Sequence, residues 1–71
     1  MQIQENYSLK ALNSFGVDVS ARLFTKINMA SDIDDLIQWR KQHADTPCLL
    51  LGGGSNMLFR DDFEGLVVSV S

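Results

Sequence analysis

Residues 21–27 place Arg22, Phe24 and Lys26 on one face and the residues between them on the other, which is the period-two pattern of a β-strand. One predicted face of this strand carries Ala21, Leu23, Thr25 and Ile27. Residues 48–51 form a continuous apolar run between turn signals, which predicts a strand buried on both faces, as in a parallel sheet. Residues 66–71 are rich in β-branched side chains and predict a final strand. Residues 1–19 have no clean period and predict only a turn, at residues 13–16.

Apolar residues recur at helical spacing after Ser31, and this pattern predicts a helix that ends before Pro47, because proline cannot continue it. Ser31 has the side chain of an N-cap, and Asp34 three positions later gives a weaker form of the capping box. The acidic first turn and the basic last turn both suit the helix dipole. The predicted packing face consists of Ile33, Leu36, Ile37 and Ala44, with Trp39 at its flank.

The order strand, helix, strand, loop, strand predicts a small α/β (α+β) fold. Its first three elements form a parallel βαβ unit, whose crossover should be right-handed. The chain has 71 residues, about half a typical domain. A chain this short buries only roughly 60% of its unfolded surface. Because the sequence ends directly on a predicted strand, we expect it to be part of a larger protein.

Composition and charge exclude several classes of protein. The apolar fraction of 45% and the charged fraction of 21% are those of a globular domain, not of a disordered segment. The net charge of −3, without a basic cluster, argues against nucleic-acid binding. No apolar run reaches the ~18 residues of a membrane helix, and the N-terminus is unlike a signal peptide, so we expect a cytoplasmic protein. Cys48 is the only cysteine in the sequence, and we expect it to be buried as a small hydrophobic residue.

The segment with candidate chemistry follows the apolar run directly and consists of Gly52, Gly53, Gly54, Ser55 and Asn56. Three glycines let the backbone turn sharply and let a ligand approach its amides closely. Successive N–H groups in such a loop form a concave anion site, and Ser55 and Asn56 add side-chain donors. The carboxyl end of a strand is also where open α/β sheets bind ligands. The pattern indicates a pyrophosphate site, although a glycine-rich turn without a ligand is about equally expected.

Two familiar phosphate-binding motifs do not match this loop. A P-loop requires a lysine after its last glycine, and no lysine follows here. The dinucleotide fingerprint G-x-G-x-x-G requires a third glycine where Met57 stands. The loop also follows the second strand of its βαβ unit, not the first. These differences disfavour an ordinary kinase, GTPase or Rossmann dehydrogenase.

Three segments together resemble the MurB family, the flavin-dependent reductases of peptidoglycan synthesis. Residues 13–16 resemble the family's N-T-F-G segment, with Ser14 in place of the usual threonine. Residues 51–58 resemble its L-G-x-G-S-N-x-L loop, and residues 63–68 resemble the turn and strand that come next. The order and spacing agree over essentially the whole chain. Related flavin oxidases use similar glycine loops, so the specific signal is the loop combined with residues 13–16.

The resemblance implies that residues 1–71 are the N-terminal subdomain of a PCMH-type FAD-binding domain, incomplete without the rest of the parent. It implies FAD with its pyrophosphate on residues 52–56, and NADPH as hydride donor. The family's reaction reduces UDP-N-acetylglucosamine enolpyruvate to UDP-N-acetylmuramate. The family's catalytic serine, glutamate and arginine lie in later segments, so we expect no catalytic residue here and a UDP-sugar site only in the full-length parent.

For the isolated chain, the same resemblance implies no reductase activity and weak or absent FAD binding. Its inner face is expected to be exposed and apolar, and to allow self-association. The residues of that face are Leu49, Leu51, Val67 and Val68.

Other interpretations of these residues stay open. The chain could belong to another flavin oxidoreductase of the same fold superfamily, or be a non-enzymatic small domain whose glycine loop is structural. Asn13 and Phe15 are equally consistent with flavin contact and with a structural turn. We expect His43 to be a solvated partner of the helix dipole, and Trp39 to pack against the fold. The acidic turn at residues 61–64 is expected to be solvated, so no metal site is predicted.

Overall fold

The computed structural model describes residues 1–12, 18–52 and 61–70, in which a β-sheet carries an α-helix on one face. The elements in chain order are β1 (Gln4–Ser8), a short 3-10 helix (Lys10–Leu12), β2 (Ser20–Ile27), α1 (Ala30–Gln42), β3 (Cys48–Gly52) and β4 (Phe63–Val70). The predicted turn at residues 13–16 lies outside the described residues. Within the described ranges, no helix has the length and apolar character needed to cross a membrane.

The four strands lie in the order β1-β2-β4-β3. β1 runs antiparallel to β2, whereas β2, β4 and β3 are mutually parallel. This mixed sheet with a helix on it confirms the α+β class. As predicted, β2 and β3 are parallel and are joined through α1, but β4 lies between them. The βαβ unit is therefore split by the strand that comes last in the described sequence.

β4, and not β3, is the strand buried on both faces. Four consecutive residues of β4, from Gly65 to Val68, are buried. β3 is an edge strand of the described sheet, and the side chain of Leu50 is 64% exposed. The prediction that residues 48–51 form a strand buried on both faces is therefore wrong. An apolar run of four residues cannot reveal its place in a sheet, because that place depends on which other strands pair with it.

The apolar face predicted to be exposed is also largely internal. Leu51, Val67 and Val68 are buried, and Leu49 is half-buried. Val67 and Leu51 pack in a cluster on the side of the sheet away from the helix, together with Leu9, Val19, Ala21 and Phe24. The expectation that these side chains are exposed is therefore wrong for Leu51, Val67 and Val68, whereas self-association of the chain stays a prediction.

A second cluster lies beneath α1, where Leu36, Trp39 and the half-buried Cys48 pack against Ile27, Leu66 and Val68. Trp39 thus packs as expected, but at the centre of the helix contact and not at its flank. Ile33 and Ile37, which were assigned to the packing face, are about half exposed. Cys48 is in contact with apolar neighbours, as predicted, although it is only half-buried.

β2 does not keep a single alternation along its length. Ala21 packs in the same cluster as Phe24, and not on the face of Leu23. The register of β2 against β4 shifts between Ala21 and Leu23. At the same level of β1, Asn6 adopts a left-handed backbone with φ of 51°. A local break in both strands changes the face to which later side chains point, and the simple period-two prediction for Ala21 is wrong.

β1 was not predicted, because its sequence is polar and its side chains are mostly exposed. Its stability comes from contacts that are remote in sequence. Tyr7 stacks on Phe24 with ring centroids 3.9 Å apart and an interplanar angle of 6°. The hydroxyl of Thr25 donates a hydrogen bond of 2.7 Å to the carbonyl oxygen of Gln2, just before the strand.

α1 begins one residue before Ser31, and its N-cap is Met29. The assignment of Ser31 as the cap is therefore wrong. Asp32 is the third helical residue, and its carboxylate accepts hydrogen bonds from the backbone amides of Asn28 (2.9 Å) and Met29 (3.2 Å). This is the carboxylate half of a capping box, and it makes a hydroxyl at the cap unnecessary. The helix ends at Gln42, before Pro47 as predicted.

Candidate functional site

The predicted glycine loop begins at the carboxyl edge of the three parallel strands. Ile27, Val70 and Gly52 are the last residues of β2, β4 and β3, and they pair in register across the sheet. Gly52 is exposed. It is also still part of β3, because it pairs with Val70, so the loop itself starts after it. A parallel strand does precede residue 53, but Gly52 belongs to that strand instead of following it, and the strand lies at the edge of the described sheet instead of being buried on both faces.

Gly52 is the one predicted site residue that the structure describes. Gly53, Gly54, Ser55 and Asn56 lie outside the described residues, as do Asn13 and Phe15. The prediction that several amides of this loop point into one concavity therefore stays a prediction.

The N-terminus of α1 opens at the same edge of the sheet, but its positive end is already neutralised. The carboxylate of Asp32 accepts the two amide bonds described above, and its Oδ1 lies 3.5 Å from the Met1 ammonium. The hydrogen bond from the Asn28 amide is the main reason why the pKa of Asp32 lies below its usual value, with the Met29 amide and the Met1 ammonium acting in the same direction. This helix end is therefore occupied by its own carboxylate, unlike helix ends that bind phosphate.

Met1 ties β1 to α1 at this edge. Its ammonium donates a hydrogen bond of 2.9 Å to Asp35. This bond is the main cause of the raised pKa of the amine, and Asp32 contributes in the same direction. A cleft of about 440 Å³ lies beside this contact. It is lined by Met1, Gln2, Gln4, Lys26, Asn28, Met29 and Asp32. Sequence reasoning missed it, because it depends on the unpredicted pairing of β1 with β2.

The strand order separates the helix end from the start of the glycine loop. α1 follows β2, whereas the loop follows β3, and β4 lies between the two strands. Neighbouring strands are about 4.8 Å apart, so the ends of β2 and β3 are separated by roughly 10 Å. An anion at the end of β3 would therefore depend on the loop that follows Gly52 more than on the dipole of α1.

The other candidate residues that the structure describes make contacts within the fold. The ring of His43 stacks on Trp39 at 4.2 Å, and its Nδ1 lies 2.9 Å from the carbonyl oxygen of Trp39. Asp62 accepts a hydrogen bond of 2.8 Å from the backbone amide of Ser20, so it holds the start of β2 instead of being simply solvated. Across residues 1–12, 18–52 and 61–70, no three His, Cys, Asp or Glu side chains are grouped to bind a metal.

Comparison with known proteins gives one consistent family name. The chain is 42% identical over 71 residues to the UDP-N-acetylenolpyruvoylglucosamine reductase of Pseudomonas syringae pv. syringae. It is 37% identical over 71 residues to the Pseudomonas aeruginosa reductase of the same name, and 44% identical over 70 residues to that of Photobacterium profundum. These matches cover 96–100% of the chain but only 19–21% of each relative. The chain thus spans about a fifth of the length of these relatives. No protein-family model matches it.

Proposed function

We propose that this chain, which belongs to the UDP-N-acetylenolpyruvoylglucosamine reductase (MurB) family, holds the pyrophosphate of FAD in a reductase of that kind. The binding segment is residues 52–56. The full-length protein reduces the enolpyruvyl group of UDP-N-acetylglucosamine enolpyruvate, with NADPH as the source of hydride. The chain is one half of a PCMH-type FAD-binding domain.

The position of Gly52 is the observation that carries this proposal. It is exposed at the carboxyl edge of three parallel strands, where open α/β sheets bind ligands. The strand ends around it, Ile27 and Val70, carry no charge that would repel an anion. The nearby carboxylate of Asp32 is paired with the Met1 ammonium and with two backbone amides. The local charges are therefore compatible with a pyrophosphate at the end of β3.

The donor set of the loop also suits a pyrophosphate. Residues 53–56 contribute up to four backbone N–H groups, and Ser55 and Asn56 add a hydroxyl and an amide donor. No lysine or arginine is needed if successive amides form the anion site. When bound, FAD would supply the hydride-transfer chemistry of the reductase. The role of this chain's own residues is to hold and orient its pyrophosphate.

This chain would not catalyse the reaction alone. By resemblance, the serine, glutamate and arginine that act on the substrate belong to other parts of the parent. None of the serines in this chain matches the position of the catalytic serine. We therefore expect that the isolated 71 residues do not turn over NADPH with the enolpyruvyl substrate.

Flavin content of the full-length protein tests the proposal. In the Gly54→Val variant, a branched side chain replaces the hydrogen at the point where the backbone must approach the pyrophosphate. Each charge-assisted hydrogen bond lost costs about 1.5–3 kcal/mol, or roughly 10- to 150-fold in FAD affinity. Ser8→Ala is the control, because Ser8 pairs with Ser20 at the opposite edge of the sheet. FAD absorbance after purification and FAD titration of the apoprotein give the readout. Normal flavin content in a folded Gly54→Val protein would place the pyrophosphate elsewhere.

A further inference from the structure

The α-amine of Met1 lies between two carboxylates near the start of α1. Its nitrogen is 2.9 Å from Oδ2 of Asp35 and 3.5 Å from Oδ1 of Asp32. Asp32 and Asp35 are three positions apart, so their side chains are neighbours on the helix surface. Within residues 1–12, 18–52 and 61–70, no Lys or Arg side chain forms an ion pair, so both ion pairs of these ranges belong to this one amine.

Residues 1–3 make contacts that fix the position of this amine. The side chain of Met1 is 4% exposed and packs, with Ile3, against the cluster beneath α1. The carbonyl oxygen of Gln2 accepts the hydrogen bond from the buried hydroxyl of Thr25. The first residues of most domains are poorly ordered unless they are tied down. Here each of the first three residues contacts the sheet or the helix, so the amine is held where the two carboxylates meet it.

The amine nevertheless stays accessible. The side chain of Met1 is almost fully buried, but the residue as a whole is only half-buried. Its exposed surface therefore lies at the backbone end, which carries the amine. A modifying enzyme can reach this nitrogen although the side chain beside it is covered.

An acyl group on this nitrogen would change both the charge and the hydrogen-bond donors of the contact. The hydrogen bond to Asp35 raises the pKa of the amine, so it is an ammonium with three N–H donors at neutral pH. An amide has one N–H and no charge. Its carbonyl oxygen would be a further acceptor beside two carboxylates. Asp32 and Asp35 would then be like charges at neighbouring positions of a helix, which is destabilising.

We propose that the α-amine of Met1 is a modification-sensitive site, which holds α1 to the start of the chain only while it is unacylated. In the modification, the amine nitrogen attacks the carbonyl carbon of an acetyl thioester. The C–S bond breaks as the amide C–N bond forms, the thiol leaves with one proton of the ammonium, and a second proton passes to solvent. The product is a neutral amide, so both ion pairs between residue 1 and α1 are lost. This inference does not depend on where FAD binds.

The full-length protein with an unmodified or an acetylated Met1 tests the proposal. The acetylated form is made by co-expression with an acetyltransferase that accepts Met-Gln N-termini, and peptide mass spectrometry verifies the modification. The readout is hydrogen exchange of peptides within residues 29–39, with peptides from β4 as the internal reference. An exposed ion pair is worth up to about fivefold in an equilibrium constant, so the loss of both pairs should speed exchange in α1 by roughly threefold or more.

Asp35→Asn and Asp34→Asn are a matched pair of variants. Both remove one carboxylate from the same part of α1, but Asp34 is exposed and no ion pair joins it to Met1. Acetylation should speed exchange in Asp34→Asn as much as in the wild type. In Asp35→Asn the main partner of the amine is already absent, so the increase should be at most about half as large.

Two results would overturn the proposal. One is equal exchange of α1 in the unmodified and the acetylated wild type. The other is a natural full-length protein whose N-terminal peptide shows Met1 to be acylated, or to lie inside a longer chain, while α1 exchanges as slowly as in the unmodified form. If the acetylated protein does not fold, the two unmodified variants decide. Faster exchange in Asp35→Asn than in Asp34→Asn supports the proposal, and equal exchange overturns it.

Discussion

Gly65 lies where the central strand passes the start of β3, and Gly65→Ala should destabilise the fold. A Cβ atom on Gly65 would overlap the carbonyl oxygen of Pro47 and would come within 2.9 Å of its carbonyl carbon. It would also approach Cε2 of Phe63 to 2.9 Å. The same Pro47 oxygen accepts a hydrogen bond of 2.9 Å from the amide of Leu66. The backbone of Pro47 must therefore move away, and this bond lengthens or breaks.

The expected change in the free energy of unfolding combines two destabilising effects and one stabilising effect. Forcing an extra carbon into a packed site costs about 1–3 kcal/mol. Losing the Leu66 hydrogen bond adds about 0.5–1.5 kcal/mol. The lower entropy of the unfolded chain with alanine returns about 0.4–1 kcal/mol. The free energy of unfolding should therefore fall by about 2 kcal/mol, which for a domain of this size lowers Tm by roughly 10 °C.

Urea unfolding followed by the fluorescence of Trp39 measures this change. Trp39 is the only tryptophan of the chain, and it packs against the cluster that contains Leu66. Glu64→Ala is the control, because Glu64 is the exposed neighbour of Gly65 on β4 and its loss should change stability by less than about 0.5 kcal/mol. If Gly65→Ala is as stable as the wild type, or no less stable than Glu64→Ala, then β4 does not pass Pro47 as closely as described.

Two further predictions concern the contact between the Met1 ammonium and α1, and the sides of the sheet to which the β3 side chains point. Because the pKa of the Met1 amine is raised, its ammonium contacts stabilise the fold below pH about 8, and this contribution is lost as pH rises through the raised pKa. Because the pKa of Asp32 is lowered, its carboxylate contacts stabilise the fold above pH about 4, and this contribution is lost as pH falls through the lowered pKa. Melting curves from pH 3 to 10 should show both losses, and Asp35→Asn should flatten the alkaline one. In the isolated chain, Leu51→Ala should cost about 2–5 kcal/mol, because Leu51 is buried, whereas the exposed Leu50→Ala should cost less than about 0.5 kcal/mol. If urea unfolding gave the same loss of stability for both variants, then Leu50 and Leu51 have been assigned to the wrong sides of the sheet.

Periodic elements could be predicted from the sequence, because their signal is local. The alternation in β2 and the apolar spacing of α1 predicted these two elements, but the sequence did not show that Ala21 lies on the other face of the sheet or that Ile33 and Ile37 are about half exposed. The Asp32 cap was missed for a chemical reason: a carboxylate at the third helical residue can satisfy the first amides without a hydroxyl at the cap. β1 was missed because it is polar, and its contacts to Phe24 and Thr25 lie about twenty residues away.

The order of strands could not be predicted, since it is a property of pairing and not of composition. Residues 48–51 are an apolar run and residues 66–70 are apolar except for Ser69, yet only β4 is inserted between two parallel neighbours. Strands with neighbours on both sides must be apolar on both faces, but an apolar edge strand can look the same when another part of a protein covers it. The exposure of Leu50 is consistent with this second case.

The insertion of β4 also bears on how the candidate site can bind an anion. In dinucleotide-binding folds, the glycine loop leads directly into a helix, and the helix dipole supports the phosphate. Here the helix that opens at the carboxyl edge follows β2, two strands away from Gly52, and Asp32 already occupies its N-terminus. A chain with this topology cannot use that helix for a phosphate at the end of β3 without displacing its own cap. In the proposed function, the three glycines and the donors of Ser55 and Asn56 would therefore have to supply the pyrophosphate site without that helix.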